Sequence, residues 1–195
     1  MINTRGNVAC ATIVAASLAW LPLSALADAP APDEAAARVE RGEYLVTTSG
    51  CHDCHTPLKP GPDGPERDMT RMLSGHPESL AMPPLAAAPE LPWELVGSAT
   101  ATAWYGTWGV SFTANLTPDP ETGLGRWTFQ NFKDTIRSGR HMGRGRPVLP
   151  PMPIPMYKHF NDEDLSAIFA YLQSIPAVKN RVPEPLPPPV ALGAQ

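Results

Sequence analysis

Apolar positions recur at helical spacing in three stretches of the chain. Ala35, Ala36, Ala37, Val39, Tyr44, Leu45 and Val46 predict a helix over Glu34–Thr48, terminated at Gly50. Phe129, Phe132 and Ile136 fall at i, i+3 and i+7, behind Thr128 as N-cap and ahead of Gly139 as terminator, and predict a second. The third has Leu165, Ile168, Phe169 and Leu172 as its buried stripe, with Tyr171 beside them. Asn161 caps it, Asp162, Glu163 and Asp164 place negative charge on its positive end, and Pro176 stops it. Gly42 lies inside the first helix, where glycine costs about 1 kcal/mol against alanine. Two explanations fit it equally: a close helix crossing, or a weak position that is tolerated.

Between these stretches the pattern fades. Gly, Pro and Asp dominate from Pro57 to Pro65, a short helical stretch fits Arg67–Leu73, and Pro83–Trp93 is irregular. Trp104, Tyr105, Trp108 and Phe112 form an aromatic cluster separated by Gly106 and Gly109. They suit core packing first, the wall of a cofactor edge or a small two-stranded element second. A connection as long as 56–114 is usually functional or held by something. The stretch 115–128 is turn chemistry throughout, and the end of the chain, with Pro183, Pro185, Pro187, Pro188 and Pro189, predicts an extended tail.

The N-terminus reads as an export signal. Arg5 precedes a mostly apolar run from Val8 to Leu23, and Ala25-Leu26-Ala27 is an A-x-A cleavage site that starts the mature chain at Asp28. The run is short of the roughly 20 residues a membrane span needs. Membrane association is therefore expected only if the signal stays uncleaved. No lipid-attachment pattern surrounds Cys10, which is expected to leave with the signal. The expected parts are a signal peptide (1–27), one domain (28–182) and a Pro-rich tail (183–195).

Export changes the cysteine arithmetic. Of three cysteines, only Cys51 and Cys54 remain, and both lie in Cys51-His52-Asp53-Cys54-His55. This C-x-x-C-H pattern is the signature of covalent haem attachment. Each thiol can add to one haem vinyl group, the spacing lets both reach from one helical turn, and His55 is placed to ligate the iron. A zinc site needs more ligands nearby, and a dithiol redox motif has no need of His55.

The second axial position decides between carrying electrons and binding small ligands. Met152 is the first choice. It stands in VLPPMPIP (148–155), where flanking prolines make a stiff loop that lowers the cost of ordering a thioether over iron. Met156 and His141 are alternatives, as is an open position; Met142 lies in a Gly/Arg-rich loop. His76 and His159 have no partners at metal-ligand spacing.

Charge adds little. The net charge of −4 gives no reason to expect nucleic-acid binding, and 25 prolines in 195 residues point to long irregular connections around a small core. Lys133, Arg137, Arg140, Arg144 and Arg146 concentrate positive charge ahead of Met152 and would steer an acidic partner or pair with haem propionates. No Ser/His/Asp or paired-carboxylate constellation stands out.

The order of RGEYLV (41–46), CHDCH, PPMP (150–153) and the final helix DEDLSAIFAYLQSIPAV (162–178) resembles the class I c-type cytochromes. ANLTPDPETGLGRWT (114–128) is similar to bacterial single-haem cytochromes and cytochrome c subunits of periplasmic dehydrogenases. The resemblance implies an all-α class I cytochrome c fold, with crossing N- and C-terminal helices and long Pro/Gly-rich loops around one haem. Gly42 and Tyr44 would face Tyr171. Cys51 and Cys54 would be thioether attachments, His55 the proximal and Met152 the distal ligand, with Asn115 and Trp127 near the haem rim. LSGHPE (73–78) looks like a variant of a loop in the relatives. The implied function is periplasmic electron transfer, not an enzyme. The partners would be a periplasmic dehydrogenase and a terminal oxidase or another cytochrome. The rivals are a haem protein with an open sixth position, acting as gas or peroxide sensor or enzyme, and a zinc or thiol protein without haem.

Overall fold

The computed structural model of the chain describes residue 1, residues 32–83 and residues 95–188. The expected export signal, with Cys10 and the cleavage site, lies outside the described residues apart from Met1, as do 84–94 and 189–195.

Three helices follow the apolar periodicity. Helix α1 (Pro32–Thr48) begins at Pro32 rather than Glu34, with Asp33 and Glu34 in its first turn. Helix α3 (Phe129–Ser138) starts in a full capping box: the Thr128 hydroxyl accepts from the Asn131 backbone, and the Asn131 side chain accepts from the Thr128 backbone. It stops at Gly139, whose φ of 66° is left-handed. Helix α5 (Asp162–Ser174) is capped by Asn161, which accepts from the Asp164 N–H at 2.6 Å. Two shorter helices are α2 (Cys51–His55) and α4 (Ile154–Tyr157).

Helices α1 and α5 pack together, and Gly42 is the reason they approach so closely. A Cβ there would lie 2.0 Å from the Ala167 carbonyl oxygen and 2.7 Å from Tyr171 Cβ. The close-crossing explanation of Gly42 therefore stands. Tyr44, assigned to the same contact by resemblance, is instead 58% exposed, with the Arg41 guanidinium over its ring. Leu45, Val46, Leu165, Ile168 and Leu172 fill the buried faces, and Phe132, Ile136, Leu73 and Leu124 complete one core. Each such side chain contributes roughly 1.5–3 kcal/mol on burial.

The expectation of an all-α fold is corrected by two antiparallel sheets. Strand makes up 14% of the described structure against 37% helix, so the fold is mixed. Strands β1 (Leu58–Gly61) and β2 (Gly64–Arg67) form a hairpin in the region where Gly, Pro and Asp dominate and no periodicity showed. The helix expected over Arg67–Leu73 shrinks to one 3-10 turn at Met69–Arg71, because the Asp68 carboxylate takes the Thr70 N–H and hydroxyl. Strands β3 (Val96–Gly97), β4 (Ala103–Gly106) and β5 (Gly109–Phe112) form the second sheet. The aromatic cluster thus builds a small sheet, with Trp104 opposite Ser111. Leu186, from the Pro-rich tail, pairs with Val110 of β5 through two backbone bonds of 2.9 Å.

A buried asparagine ties the irregular segments together. Asn180 is fully buried and donates to the Ser74 and His76 carbonyls at 2.7 and 2.8 Å. Its side-chain oxygen accepts from Arg71 and from the Glu78 N–H.

Candidate functional site

Helix α2 carries the two thiols and the histidine. Gly50, at φ 74°, turns the chain sharply between α1 and α2, a left-handed conformation that glycine adopts without strain. Cys51 and Cys54 are both half-buried, and no disulfide joins them. Burial pushes the Cys51 thiol up to about 11, with a hydrogen bond to the Tyr157 hydroxyl pulling the other way. Burial and then the Asp53 carboxylate raise Cys54 as well. Reactive dithiols need the opposite shift, towards thiolate. The motif is therefore poorly set for thiol redox chemistry.

His55 is buried and held at two points. Its carbonyl accepts from the Gly75 N–H at 2.8 Å, and its Nδ1 lies 2.8 Å from the Ala114 carbonyl. A carbonyl can only accept, so Nδ1 carries the proton and Nε2 keeps its lone pair. Burial pushes the imidazole below its usual range, which keeps it neutral, while the Ala114 bond opposes that shift. Nε2 makes no hydrogen bond to the described residues. An axial ligand to haem iron needs this state: neutral, oriented by an Nδ1–H···O=C bond, with Nε2 open. The donor set of two thiols and one oriented imidazole fits haem c.

Gly75 makes this geometry attainable. A Cβ there would sit 2.3 Å from the Thr113 carbonyl oxygen, so only glycine lets segment 73–76 run beside 113–114. The LSGHPE segment thus flanks the His55 side of the site. Within it His76 is fully buried, with Nδ1 on the Thr102 hydroxyl and Nε2 on the Leu80 carbonyl, each at 2.9 Å. Both ring nitrogens are occupied, so it is no ligand. His52 turns its Nδ1 to the Thr56 hydroxyl, 2.9 Å away.

The candidate distal ligands separate by burial. Met152 is half-buried and packs against the core that Cys51 also borders. Met156 is 60% exposed and Met142 39%. His141 is exposed, with its ring edge-on to Trp127 at 5.0 Å. The loop bearing Met152 runs into α4, whose Tyr157 hydroxyl donates to the Ser49 carbonyl just before the Cys51 motif. Tyr157 and Ser111, which donates to the Pro150 carbonyl at 2.5 Å, went unnoticed in the sequence. Tyr157 left one faint signal, an aromatic closing the segment after Met152; Ser111 left none.

Asn115 and most of the clustered cations have partners within the chain. Asn115 is buried and donates to the Thr122 hydroxyl and the Val178 carbonyl, while its oxygen accepts from Thr117. With both N–H groups taken, it braces the 115–122 loop. Of the five clustered cations, Lys133 and Arg137 share Asp162, and Arg146 pairs with Glu184. Arg140 and Arg144 make no ion pair among the described residues, although Arg140 donates to the Gly145 carbonyl. No three His, Cys, Asp or Glu side chains converge as a metal site among the described residues, which gives zinc no support there.

No protein-family model matches the chain. It is 30% identical over 160 residues to the gluconate 2-dehydrogenase cytochrome c subunit of Pantoea cypripedii, covering 82% of this chain. It is 40% identical over 75 residues, 38% of this chain, to one of the subunits of nicotinate dehydrogenase from Pseudomonas putida. A diheme c-type cytochrome of Cereibacter sphaeroides is 25% identical over 183 residues, 94% of this chain. These matches mark a c-type cytochrome resembling dehydrogenase cytochrome subunits. The chain spans only 27%, 6% and 51% of these three relatives, respectively. A c-type cytochrome implies haem c, the group that the α2 donor set fits. Among the described residues, no helix of this cytochrome is long and apolar enough to cross a membrane.

Proposed function

We propose that the chain is an exported electron-transfer protein that serves a dehydrogenase. It carries one haem c on Cys51 and Cys54, with His55 and Met152 on the iron. The observation that carries this reading is His55: a buried, neutral imidazole whose Nδ1–H is spent on Ala114 and whose Nε2 is left open. The haem supplies the one-electron couple between ferric and ferrous iron. The residues of the chain hold it: Cys51 and Cys54 by thioether bonds, His55 by an oriented ring nitrogen, Met152 by a thioether from a loop against the core. The single C-x-x-C-H in this sequence supports one haem. The dehydrogenase names of the relatives support a dehydrogenase as donor; a terminal oxidase or another cytochrome would be the acceptor. The A-x-A site after the apolar run supports export to the periplasm, with the mature chain starting at Asp28.

Expression with export and haem attachment tests this reading. The wild type is expected to keep haem stain on a denaturing gel and to have the mass of the chain from Asp28 plus one haem. Replacing Cys51 and Cys54 with alanine removes the stain. Met152→Ala keeps the stain but loses the charge-transfer band of methionine-bound ferric iron. A high-spin wild-type ferric spectrum overturns the carrier reading in favour of a small-ligand sensor or enzyme, and absence of stain overturns the haem itself.

The unpaired cations give a second expectation. Replacing Arg140 and Arg144 with alanine should slow oxidation of the reduced protein by ferricyanide, an anion, about threefold at low salt, with the difference fading as ionic strength rises. Stopped-flow rates across a salt series check it. Equal rates at all salt concentrations would show that these arginines do no steering.

A further inference from the structure

The loop that carries Met152 has an unusual deficit. Pro150, Pro151 and Pro153 have no N–H, so this stretch cannot donate through those residues to the rest of the fold. Its backbone anchors are sparse: the Val148 N–H reaches the Gly139 carbonyl at 2.8 Å, and the Ile154 N–H turns back onto the Met152 carbonyl at 2.8 Å. A loop short of donors is held from outside, by groups that donate to its carbonyls or by its neighbours in sequence. Both devices are present, one on each side of Met152.

On the N-terminal side, the Ser111 hydroxyl donates to the Pro150 carbonyl at 2.5 Å. It also lies 3.4 Å from the Trp104 carbonyl, but its single proton favours the shorter contact. Ser111 is buried, and it stands on β5, between β4 on one side and the Leu186 pairing on the other. On the C-terminal side, Tyr157 closes α4 and is itself buried. Its hydroxyl donates to the Ser49 carbonyl, next to the Gly50 turn that launches α2. When Cys51 becomes a thioether it loses its S–H, but the bond from Tyr157 to Ser49 needs only the phenol proton and a backbone carbonyl.

We propose that Ser111 and Tyr157 are positioning residues that clamp the Met152 loop at both flanks, fixing the distal ligand to the small sheet on one side and to the haem-attachment turn on the other. This rests on the reading of Met152 as axial ligand. It also gives the 103–112 hairpin a function that its sequence did not suggest. A thioether is a weak ligand, and iron keeps it only while the loop has nowhere else to go. Each clamp removes alternative loop positions that would let a stronger base displace the sulfur at high pH.

The full chain with covalent haem tests the clamp through the pH at which the methionine–iron charge-transfer band is half lost. Ser111→Ala and Tyr157→Phe should each lower that midpoint by about half a unit to one unit, the size of one lost buried hydrogen bond. The double variant should add the two shifts, since the bonds lie on opposite flanks. Ser111→Thr keeps a hydroxyl and should hold the wild-type midpoint, which a purely packing role for Ser111 does not predict. Carbon monoxide binding to the ferrous single variants should quicken in step, while the haem stain is unchanged. If Met152→Ala abolishes the band but neither single variant moves the midpoint, the clamp is overturned and Met152 ligation survives. If Met152→Ala keeps the band, both fail.

Discussion

Gly42→Ala is expected to lower the unfolding free energy by about 3 kcal/mol, although alanine is the better helix former by about 1 kcal/mol. The added Cβ would lie 2.0 Å from the Ala167 carbonyl oxygen and 2.7 Å from both the Ala167 carbonyl carbon and Tyr171 Cβ. None of these is the far end of a flexible side chain. Two of them are backbone atoms of α5, so relief requires the helices themselves to separate. Separation opens the core between Leu45 and Val46 on one side and Leu165, Ile168 and Leu172 on the other, all of them buried. A gap there loses packing on every residue lining it. Tyr44→Ala, two positions away on the exposed side of α1, serves as the control and should cost under about 1 kcal/mol. Guanidinium titration of the haem-attached proteins compares the midpoints. Equal midpoints for Gly42→Ala and wild type would mean that the helices do not touch at Gly42.

The residues that made the fold legible are those whose neighbours in sequence are also their neighbours in space. Thr128 and Asn131, three apart, announce α3; Asn161 and Asp164 do the same for α5. The apolar stripes of α1, α3 and α5 repeat with the helix turn, so their buried faces were readable. The sheets were not, for a physical reason. Strands β1, β2, β4 and β5 are four residues each and β3 two, too short for alternation to register, and β2 is exposed along its length. The element that completes β5 is Leu186, far along the chain in a segment that reads as tail. Asn180 shows the same limit more sharply. It bonds to Arg71, Ser74, His76 and Glu78, yet nothing in its local sequence marks it as buried. The C-x-x-C-H pattern stands out because its five residues are contiguous, whereas the carbonyl that orients His55 belongs to Ala114, and a backbone oxygen has no sequence signature.

That carbonyl can be tested without altering it. His55→Ala is expected to retain thioether-bound haem and to lose the low-spin spectrum, because the mutation removes the proximal nitrogen and leaves the Ala114 oxygen facing the vacated space. Free imidazole added to this variant should restore the low-spin form. On the proposed ligation it can take both roles of His55, one nitrogen towards iron and an N–H towards Ala114. N-methylimidazole has the same ring but no N–H, so it can serve the iron only by leaving the carbonyl without a partner. An unmet buried hydrogen bond costs about 1–3 kcal/mol, and each 1.4 kcal/mol is tenfold in affinity, so the methylated ring should bind roughly tenfold more weakly or worse. Spectral titration of the variant with both ligands yields the ratio directly. Equal affinities would remove the Ala114 bond from the account of the site, and failure of both ligands to restore the low-spin form would remove His55 from the iron.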